Sequence, residues 1–275
     1  MNLRTLLSIS RPRFWLYSGG PFLLGFMAGL TPPRNLLTPG FWLPFLYFLL
    51  PANLLIYGVN DLADGDTDAL NTKKDAYEHR LAANERRVLI GALIAAALLS
   101  VILLMALPVG TRLTFILFLA LGLAYSTAPI RLKARPVLDS YSNLFYTLTG
   151  LVGYEMTAHQ PPPIAITVAA FCWAAGMHAY SAIPDIVPDQ TAGIRTIAVV
   201  LGERRTLLFV TANWAIGVVL AVSVLGTLGL VGLLYQVIPL LQWLSRAQNV
   251  ARVYRYFPLV NGLIGFLAFL YLSTH

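Results

Sequence analysis

Long apolar segments alternate along the chain with short polar segments that carry nearly all of its charge. An α-helix needs about 20 mostly apolar residues to cross the hydrocarbon core of a membrane, and charged, Pro and Gly positions divide the chain into nine such segments. The predicted membrane spans are 15–30, 40–59, 88–107, 112–128, 138–157, 163–183, 206–226, 228–245 and 255–273. The pattern therefore predicts an all-α integral membrane protein with nine transmembrane helices, in a single polytopic domain that covers residues 1–275.

The composition agrees with this prediction and excludes a soluble globular domain. Hydrophobic residues make up 57% of the chain and charged residues 11%, and the mean hydropathy is +0.70, as in polytopic membrane proteins. The formal net charge of +7 does not indicate a nucleic-acid partner, because the basic residues lie between apolar segments and form no basic face. The lone cysteine, Cys172, lies in an apolar segment, so no disulfide within the chain is predicted.

The Lys and Arg residues indicate how the chain is oriented in the membrane. When the nine spans are threaded alternately, all Lys and Arg residues except Arg34 and Arg112 fall on one side. Cytoplasmic loops of membrane proteins are rich in Lys and Arg, so this side is predicted to be the cytoplasm. The prediction places the N-terminus inside, the C-terminal His275 outside, and the chain in the plasma or inner membrane.

The predicted cytoplasmic loop after the second span concentrates acidic residues in a chain that has few of them. Four of the 12 Asp and Glu residues lie within residues 61–68. In a helix, Asp61, Asp64 and Asp68 would share one face, and Asn60 would lie beside them, one turn before Asp64. Asp66 would point elsewhere. We call Asn60, Asp61, Asp64 and Asp68 the first acidic motif.

A second acidic motif, Asp185 and Asp189, follows the sixth span. Its carboxylates lie one turn apart if the segment winds as a helix through its prolines. Crowded carboxylates repel one another unless cations neutralise them, and oxygen ligands without Cys or clustered His select Mg²⁺ or Ca²⁺ over Zn²⁺. The two motifs predict a divalent-metal site that binds a diphosphate. The alternative is a pair of solvated acidic loops that basic neighbours balance.

In combination, the motifs resemble the two signatures of the UbiA superfamily of intramembrane prenyltransferases. The segment Gly193 to Gly202 also resembles the family's continuation after its second motif. The resemblance covers the whole chain in span number and motif order. It implies a nine-helix bundle around a central cavity open to lipid, and an isoprenyl diphosphate bound through two Mg²⁺ ions. It assigns metal-binding roles to six residues, the five aspartates among them also catalytic: Asn60, Asp61, Asp64, Asp68, Asp185 and Asp189. Asp66 matches no motif position.

Basic residues near the motifs are predicted to bind the diphosphate. A departing diphosphate needs cationic partners as its C–O bond breaks, and the segment from Tyr125 to Lys133 resembles the Tyr-Ser-x-x-Pro-x-Arg/Lys-x-Lys pattern of part of the superfamily. The predicted diphosphate-binding residues are Tyr125, Arg131, Lys133 and Arg195. Ordinary anchoring of cytoplasmic loops by basic residues is the alternative interpretation.

Four further polar residues are candidates for a substrate pocket. His178 precedes Asp185 by two helical turns on the same face, and an ionisable residue inside a span is a functional candidate, although it could instead form a hydrogen bond between helices. Asn53 and Tyr57 precede Asn60 along one face of the second span. Tyr141 lies near the start of the fifth span, where aromatic residues also serve as interfacial anchors.

A narrower resemblance concerns the substrates. The segments Ser10 to Tyr17 and Met177 to Ile186 look most like lycopene elongase-type members of the superfamily. This implies dimethylallyl diphosphate as donor and lycopene or a related carotenoid as acceptor, on the way to C50 carotenoids. The alternatives are prenylation of an aromatic quinone precursor or of a glycerol phosphate lipid by the same mechanism.

Two other functional classes fit less well. A phosphotransferase of the CDP-alcohol type is disfavoured because its Asp-Gly-x-x-Ala-Arg pattern is missing after Asp64. A cation transporter is a remote alternative, since its acidic residues are expected near the middle of the membrane and here they lie at the ends of spans.

Overall fold

The computed structural model describes residues 3–31, 35–63, 85–245 and 250–274. These residues form helices joined by short turns and contain no β-strand. The α-helices are α1 Leu3–Ile9, α2 Trp15–Gly29, α3 Pro39–Leu49, α4 Pro51–Ala63, α5 Arg86–Ala106, α6 Val109–Ser126, α7 Leu138–Tyr141, α8 Phe145–Ala158, α9 Ile164–Ala182, α10 Ile186–Thr191, α11 Ile197–Leu225, α12 Leu233–Ser245 and α13 Val250–Thr274. Five 3₁₀-helices connect some of them, at Pro12–Phe14, Leu132–Ala134, Ser142–Leu144, Ile183–Asp185 and Gly226–Gly232.

In the part of the chain that the structure describes, all nine predicted spans are helical, which confirms the all-α class and the number of helical segments. The second span consists of two helices, α3 and α4, that meet at Leu50. A proline disfavours helical geometry at the residue before it and lacks a backbone N–H, so Pro51 begins a new helix. The fifth span is also divided, into α7, a 3₁₀ turn and α8.

Within the described residues, six helical stretches are long and apolar enough to cross a membrane. They are Pro39–Ala63, Arg86–Ala106, Val109–Ser126, Ile164–Thr191, Ile197–Leu244 and Val250–Thr274. Ile197–Leu244 has 48 residues and contains the seventh and eighth predicted spans. The helices α2, of 15 residues, and α8, of 14 residues, are shorter than the roughly 20 residues that a perpendicular crossing requires.

The chain divides into two compact units. The first comprises Met1–Ile130, Leu148–Pro161 and Gly265–His275, and the second Arg131–Thr147 and Pro162–Ile264. Aromatic side chains fill the core of the first unit, where the fully buried Phe48 packs against Phe22, Phe115 and Phe118 with ring centroids 5.2–6.0 Å apart.

In the second unit, α9 packs on α11 through small residues and one tryptophan. An added Cβ at Gly176 would lie 2.4 Å from the indole nitrogen of Trp214. This indole also donates a hydrogen bond to the carbonyl of Trp173 at 3.2 Å. The buried Tyr180 lies near the same tryptophan and packs on Phe257 of α13, with 5.2 Å between the centroids of their rings. Gly176 therefore makes room for the aromatic group that joins these helices.

A seam of small residues joins α2 to α8 in the first unit. A Cβ added to Gly25 would lie 1.9 Å from the carbonyl oxygen of Gly150, and one added to Gly153 would lie 2.4 Å from that of Phe22. Hydroxyl groups tie the same two helices, since Thr149 donates to the carbonyl of Ser18 at 2.7 Å. Small residues allow this backbone approach, which supplies packing between helices where lipid weakens the hydrophobic drive. We call this contact the α2–α8 seam.

We expect Gly25→Val to destabilise the protein, because the new side chain would force α2 and α8 apart. Overpacking a close contact costs about 1–3 kcal/mol. The midpoint of heat-induced precipitation of the detergent-solubilised protein should fall. Gly91→Val is the matched control, because an added Cβ at this helical glycine meets no atom within 4 Å. Equal midpoints for the two variants would contradict the α2–α8 seam.

Candidate functional site

The described part of the first acidic motif lies in the last turn of α4. Pro51 occupies the first position of this helix, where a missing N–H costs nothing, and Asn60 and Asp61 lie near its end at Ala63. Asp61 is buried, with 3% of its surface exposed. The other predicted ligands of this motif, Asp64 and Asp68, lie outside the described residues, as does Asp66.

The buried carboxylate of Asp61 forms an ion pair with Arg11. Nη2 of Arg11 lies 3.1 Å from Oδ1 of Asp61, and the same guanidinium lies 4.6 Å from the ring centroid of Tyr57. The ring of Phe14 stacks on that of Tyr57 as well, with centroids 5.7 Å apart. Tyr57, predicted as a pocket residue, thus contacts two side chains of the segment before α2.

Apolar packing supports this ion pair. We call residues 3–14, which comprise α1 and the 3₁₀ turn after it, the N-terminal arm. Leu6 and Ile9 of α1 pack in a buried cluster with Leu54 and Leu55 of α4. Arg11 has a left-handed backbone, with φ of 51°, where the chain turns from α1 into the 3₁₀-helix. The N-terminal arm is therefore held against α4 by apolar contacts, by a ring stack and by charge.

The side chains of Asn60 and Asn53 have different surroundings. Oδ1 of Asn60 accepts a hydrogen bond from Oγ of Ser126, the last residue of α6, at 2.6 Å. Asn53 is buried, and its Nδ2 donates to Oγ of Ser18 and to the carbonyl of Phe48, both at 2.7 Å. Asn53 thereby joins α4 to α2 and to the end of α3. Its role in a substrate pocket stays a prediction, and Ser126 is a partner of the motif that we did not single out from the sequence.

The second acidic motif has the geometry that its spacing predicted. The helix α9 continues through the turn Ile183–Asp185 into α10, so the segment winds through its prolines. Pro184 and Pro188 lie in the first turns of these short helices, where a missing N–H leaves no hydrogen bond unmade. Asp185 and Asp189 thus lie about one turn apart, and both are partly exposed.

The segment after this motif turns back and holds Asp189. Gly193 has φ of 68°, a left-handed conformation that costs glycine little, and Ile194 N–H donates to the carbonyl of Asp189 at 2.8 Å. Oγ1 of Thr196 lies 3.4 Å from Oδ2 of Asp189 as a hydrogen-bond donor, and it accepts from Val199 N–H at the start of α11. Thr196 is therefore both the N-cap of α11 and a partner of the motif.

A further carboxylate, that of Asp139, lies at the start of α7 and has no exposed surface. Its Oδ2 accepts a hydrogen bond from Ile197 N–H, at the first residue of α11, at 2.8 Å. Nε2 of His178 on α9 lies 3.8 Å from the same oxygen, and the backbone carbonyl of Asp139 accepts from Nδ2 of Asn143 at 2.7 Å. One buried residue thus links α7, α9 and α11.

The sequence contained a signal for Asp139 that we did not use. It is one of only 12 acidic residues in the chain and lies at the start of a predicted span, where an ionisable side chain is a functional candidate. The predicted pocket residue Tyr141, two positions later, donates a hydrogen bond to Oδ1 of Asn213 on α11 at 2.9 Å. Tyr141 therefore joins the same helices, and its role in a pocket stays a prediction.

The predicted diphosphate-binding residues lie at the ends of helices. Tyr125 is the next-to-last residue of α6. Arg131 has a left-handed backbone with φ of 40°, and Lys133 lies in the 3₁₀ turn after it. Arg195 is exposed and directly precedes the N-cap of α11. Arg131, Lys133 and Arg195 belong to the second unit, as does the second acidic motif, and Tyr125 belongs to the first.

The described donors of both motifs fit a hard divalent cation. They are the amide oxygen of Asn60 and the carboxylates of Asp61, Asp185 and Asp189, which are the oxygen ligands that Mg²⁺ prefers. Asp61 already has a cationic partner in Arg11. Among the described residues no three Asp, Glu, His or Cys side chains form a metal-binding cluster, and Asp64 and Asp68 lie outside this part of the chain.

Comparison with known proteins identifies similar sequences and similar folds. The model of the UbiA prenyltransferase family matches residues 19–260. The chain is 39% identical to the lycopene elongase/hydratase of Haloferax volcanii, with 94% of this chain and 85% of that protein covered. It is also 39% identical to the lycopene elongase/hydratase of Halobacterium salinarum, with 95% of this chain and 94% of that protein covered. A UbiA homolog from Archaeoglobus fulgidus, solved bound to DMAPP and Mg²⁺, has the same fold with a TM-score of 0.77 and 24% identity, over 98% of this chain and 99% of that one.

The ion pair of Arg11 and Asp61 predicts how the free energy of unfolding changes when either of the two charges is removed. We expect Arg11→Met to lower the free energy of unfolding, because it removes a guanidinium from a buried carboxylate, a change that costs about 3–5 kcal/mol in buried pairs. The double variant Arg11→Met/Asp61→Asn should recover most of this loss. The midpoints of heat-induced precipitation in detergent, measured for the wild type, for these two variants and for Asp61→Asn, complete a double-mutant cycle.

Arg13→Met is the control for this cycle, since the exposed Arg13 lies over the ring of Phe14 and has a smaller predicted effect. A double variant no more stable than Arg11→Met would show that the charge pair does not hold the N-terminal arm.

Proposed function

The chain belongs to the UbiA prenyltransferase family, and from this membership we propose that it transfers a dimethylallyl group from dimethylallyl diphosphate to lycopene or a related carotenoid, with Mg²⁺ as cofactor. The observation that carries the acceptor assignment is the likeness to relatives named lycopene elongase/hydratase along nearly the whole chain. A likeness of this extent includes the helices that would surround an acceptor as well as the acidic motifs. The product would be a carotenoid lengthened by five carbons at one end.

The ligands of the metal are the six residues of the two acidic motifs. Asn60, Asp61, Asp64 and Asp68 of the first motif and Asp185 and Asp189 of the second would hold two Mg²⁺ ions. When bound, Mg²⁺ neutralises the diphosphate and makes it a better leaving group. Two features of this chain support the metal assignment. All of the proposed ligands bind through oxygen, and Asp185 and Asp189 lie about one helical turn apart. Solved relatives with the same fold, from Archaeoglobus fulgidus, were bound to Mg²⁺ with DMAPP or GPP and to Cd²⁺.

Residues around the motifs prepare them for this role. Ser126 directs the amide oxygen of Asn60 by donating to it, and Thr196 donates to Asp189. A hydrogen bond to a ligand side chain keeps the orientation of that side chain, and such outer partners affect metal affinity strongly. Ser126 and Thr196 therefore act as positioning residues for one ligand each.

The basic residues at helix ends would stabilise the leaving group. Arg131, Lys133 and Arg195 supply positive charge and Tyr125 a hydroxyl donor for the oxygens of the diphosphate, whose charge grows as the C–O bond breaks. The electron pair of that bond leaves with the diphosphate, and the allylic carbon then bonds to a carbon of an acceptor double bond. Apolar helices would exclude water from the cation at this stage.

The acidic motifs would face the cytoplasm, where a water-soluble diphosphate is available. The distribution of Lys and Arg supports this orientation, with the N-terminus inside and the C-terminus outside a plasma or inner membrane. Arg112, one of the two exceptions, has a local function, because it donates hydrogen bonds to the carbonyls of Leu107 at 3.1 Å and Met105 at 3.0 Å at the C-terminal end of α5.

A glycerol phosphate lipid is the second candidate acceptor. One relative, the digeranylgeranylglyceryl phosphate synthase of Natronomonas pharaonis, is 29% identical, with 86% of this chain and 83% of that protein covered. Transfer to such a lipid would use the same donor chemistry and the same motifs. The two proposals differ in the acceptor and in the length of the isoprenyl group that is transferred.

We expect Asp185→Asn and Asp64→Asn each to lower transfer by about 100-fold or more, because each removes a charge that would hold the metal–diphosphate complex. Transfer is measured as the label found in lipid extracted from membranes that contain the protein, Mg²⁺ and labelled dimethylallyl diphosphate. Asp66→Asn is the matched control and should retain activity, since Asp66 matches no motif position. Full turnover of Asp185→Asn would contradict the ligand assignment.

The acceptor is tested separately, in cells that make lycopene. Expression of the protein should convert lycopene into C45 and C50 pigments, detected by their mass, and Asp185→Asn should abolish them. Membranes supplied with an aromatic quinone precursor or with geranylgeranylglyceryl phosphate in place of lycopene should form no labelled product. Transfer to either of these compounds and not to lycopene would replace the carotenoid proposal.

A further inference from the structure

The buried carboxylate of Asp139 is held in place more fully than a packing role requires. Its Oδ2 receives the N–H of Ile197 at the N-terminus of α11, where the helix dipole favours negative charge, and its backbone carbonyl is held by Asn143. Its Oδ1 has no hydrogen-bond partner among the described residues. A carboxylate buried in apolar surroundings needs a partner that carries a proton or a positive charge.

His178 is the ionisable side chain that faces this carboxylate. Its Nε2 lies 3.8 Å from Oδ2 of Asp139, and 16% of the His178 side chain is exposed while the Asp139 side chain is not exposed at all. The imidazole thus lies beside the buried carboxylate of Asp139 and is itself partly accessible. A proton taken up by His178 would place a positive charge 3.8 Å from Oδ2 of Asp139, and a catalytic base is commonly oriented by a third group of this kind.

The position of His178 along its helix relates it to the second acidic motif. It precedes Asp185 by seven residues in one continuous helical stretch, so both lie on the same face, and the rise of 1.5 Å per residue separates them by about 10 Å. His178 is the one nearer the middle of the span Ile164–Thr191. If the motif binds the diphosphate at the end of the span, His178 lies at the depth of the apolar acceptor.

From these observations we propose that His178 accepts the proton released after C–C bond formation, and that Asp139 positions the imidazole and stabilises its charged form. The inference rests on the proposed prenyl transfer. The π electrons of an acceptor double bond form the new C–C bond and leave a cation on the neighbouring carbon. A proton then leaves, either from the next carbon, whose C–H pair becomes an alkene, or from a water molecule that has added to the cation, which gives an alcohol. In both cases a lone pair on the imidazole takes the proton.

The experiment measures two products in the same reaction, the released pyrophosphate and the coupled lipid. In the wild-type protein we expect one coupled product for each pyrophosphate. Without the proton acceptor, the new C–C bond would reopen and the allylic cation would be lost to water as dimethylallyl alcohol. The ratio of coupled product to pyrophosphate in His178→Gln should therefore fall at least about tenfold, a smaller loss than the about 10²–10⁴-fold that general bases contribute, while KM for dimethylallyl diphosphate stays the same.

Asp139→Asn keeps an acceptor for the N–H of Ile197 and removes the charge, so the same ratio should fall by a smaller factor. The double variant should couple no worse than His178→Gln alone, because the two side chains act as one unit. If His178→Gln does not fold, the ratio of coupled product to pyrophosphate in Asp139→Asn tests the proposal. The control is His159→Gln, an exposed histidine outside this pair, which should couple as the wild type does.

The outcomes separate the two levels of the proposal. A wild-type protein that releases no pyrophosphate with any acceptor would overturn the proposed function itself. A wild-type protein that couples fully, with His178→Gln and Asp139→Asn at an unchanged ratio, would overturn only the proton-acceptor assignment. A parallel loss of pyrophosphate and coupled product in both variants would also overturn it, since that result indicates a structural role.

Discussion

A charge inside an apolar helical protein is tolerated only where another group neutralises it, because burial removes the water that would otherwise do so. This constraint explains the two buried carboxylates that the structure describes in detail. Asp61 meets a guanidinium from the N-terminal arm, and Asp139 meets the N-terminus of α11 and an imidazole. In each case the partner comes from a distant part of the sequence, so neutralising the charge also fixes the position of a helix.

The second acidic motif follows a different principle, because its aspartates are partly exposed. Its geometry comes from local hydrogen bonds, with the turn at Gly193 and the N-cap Thr196 bringing the chain back to Asp189. The hydroxyl of Thr196 holds the carboxylate of Asp189 by a hydrogen bond, and the N–H of Ile194 holds its backbone carbonyl. The described end of the first motif is buried and paired with Arg11, whereas the aspartates of the second motif are only partly buried.

The helical spans and the spacing of the second motif could be predicted because they depend on local periodicity. Apolar runs bounded by prolines and charges define helices without reference to the rest of the chain, and the prolines near Asp185 lie where helices tolerate them. The pair of Arg11 and Asp61 could not be predicted, since the two residues are 50 positions apart and no local pattern relates them.

Asp139 was missed for a related reason. An acidic residue at the start of a helix normally stabilises its own first turn, and here it binds a backbone N–H 58 residues away, on another helix. The break between α3 and α4 was not predicted, because apolar residues continue on both sides of Pro51. Hydrophobicity alone does not reveal that proline lacks a backbone N–H donor.

The α2–α8 seam has a consequence for the biosynthesis of the protein. Its hydrogen bond from Thr149 to Ser18 joins positions 131 residues apart, and ribosomes add about 5–20 residues per second. Helix α2 is therefore made about 7–26 s before α8. The α2–α8 seam cannot form during this interval, so the close packing of α2 depends on a helix that the ribosome adds much later.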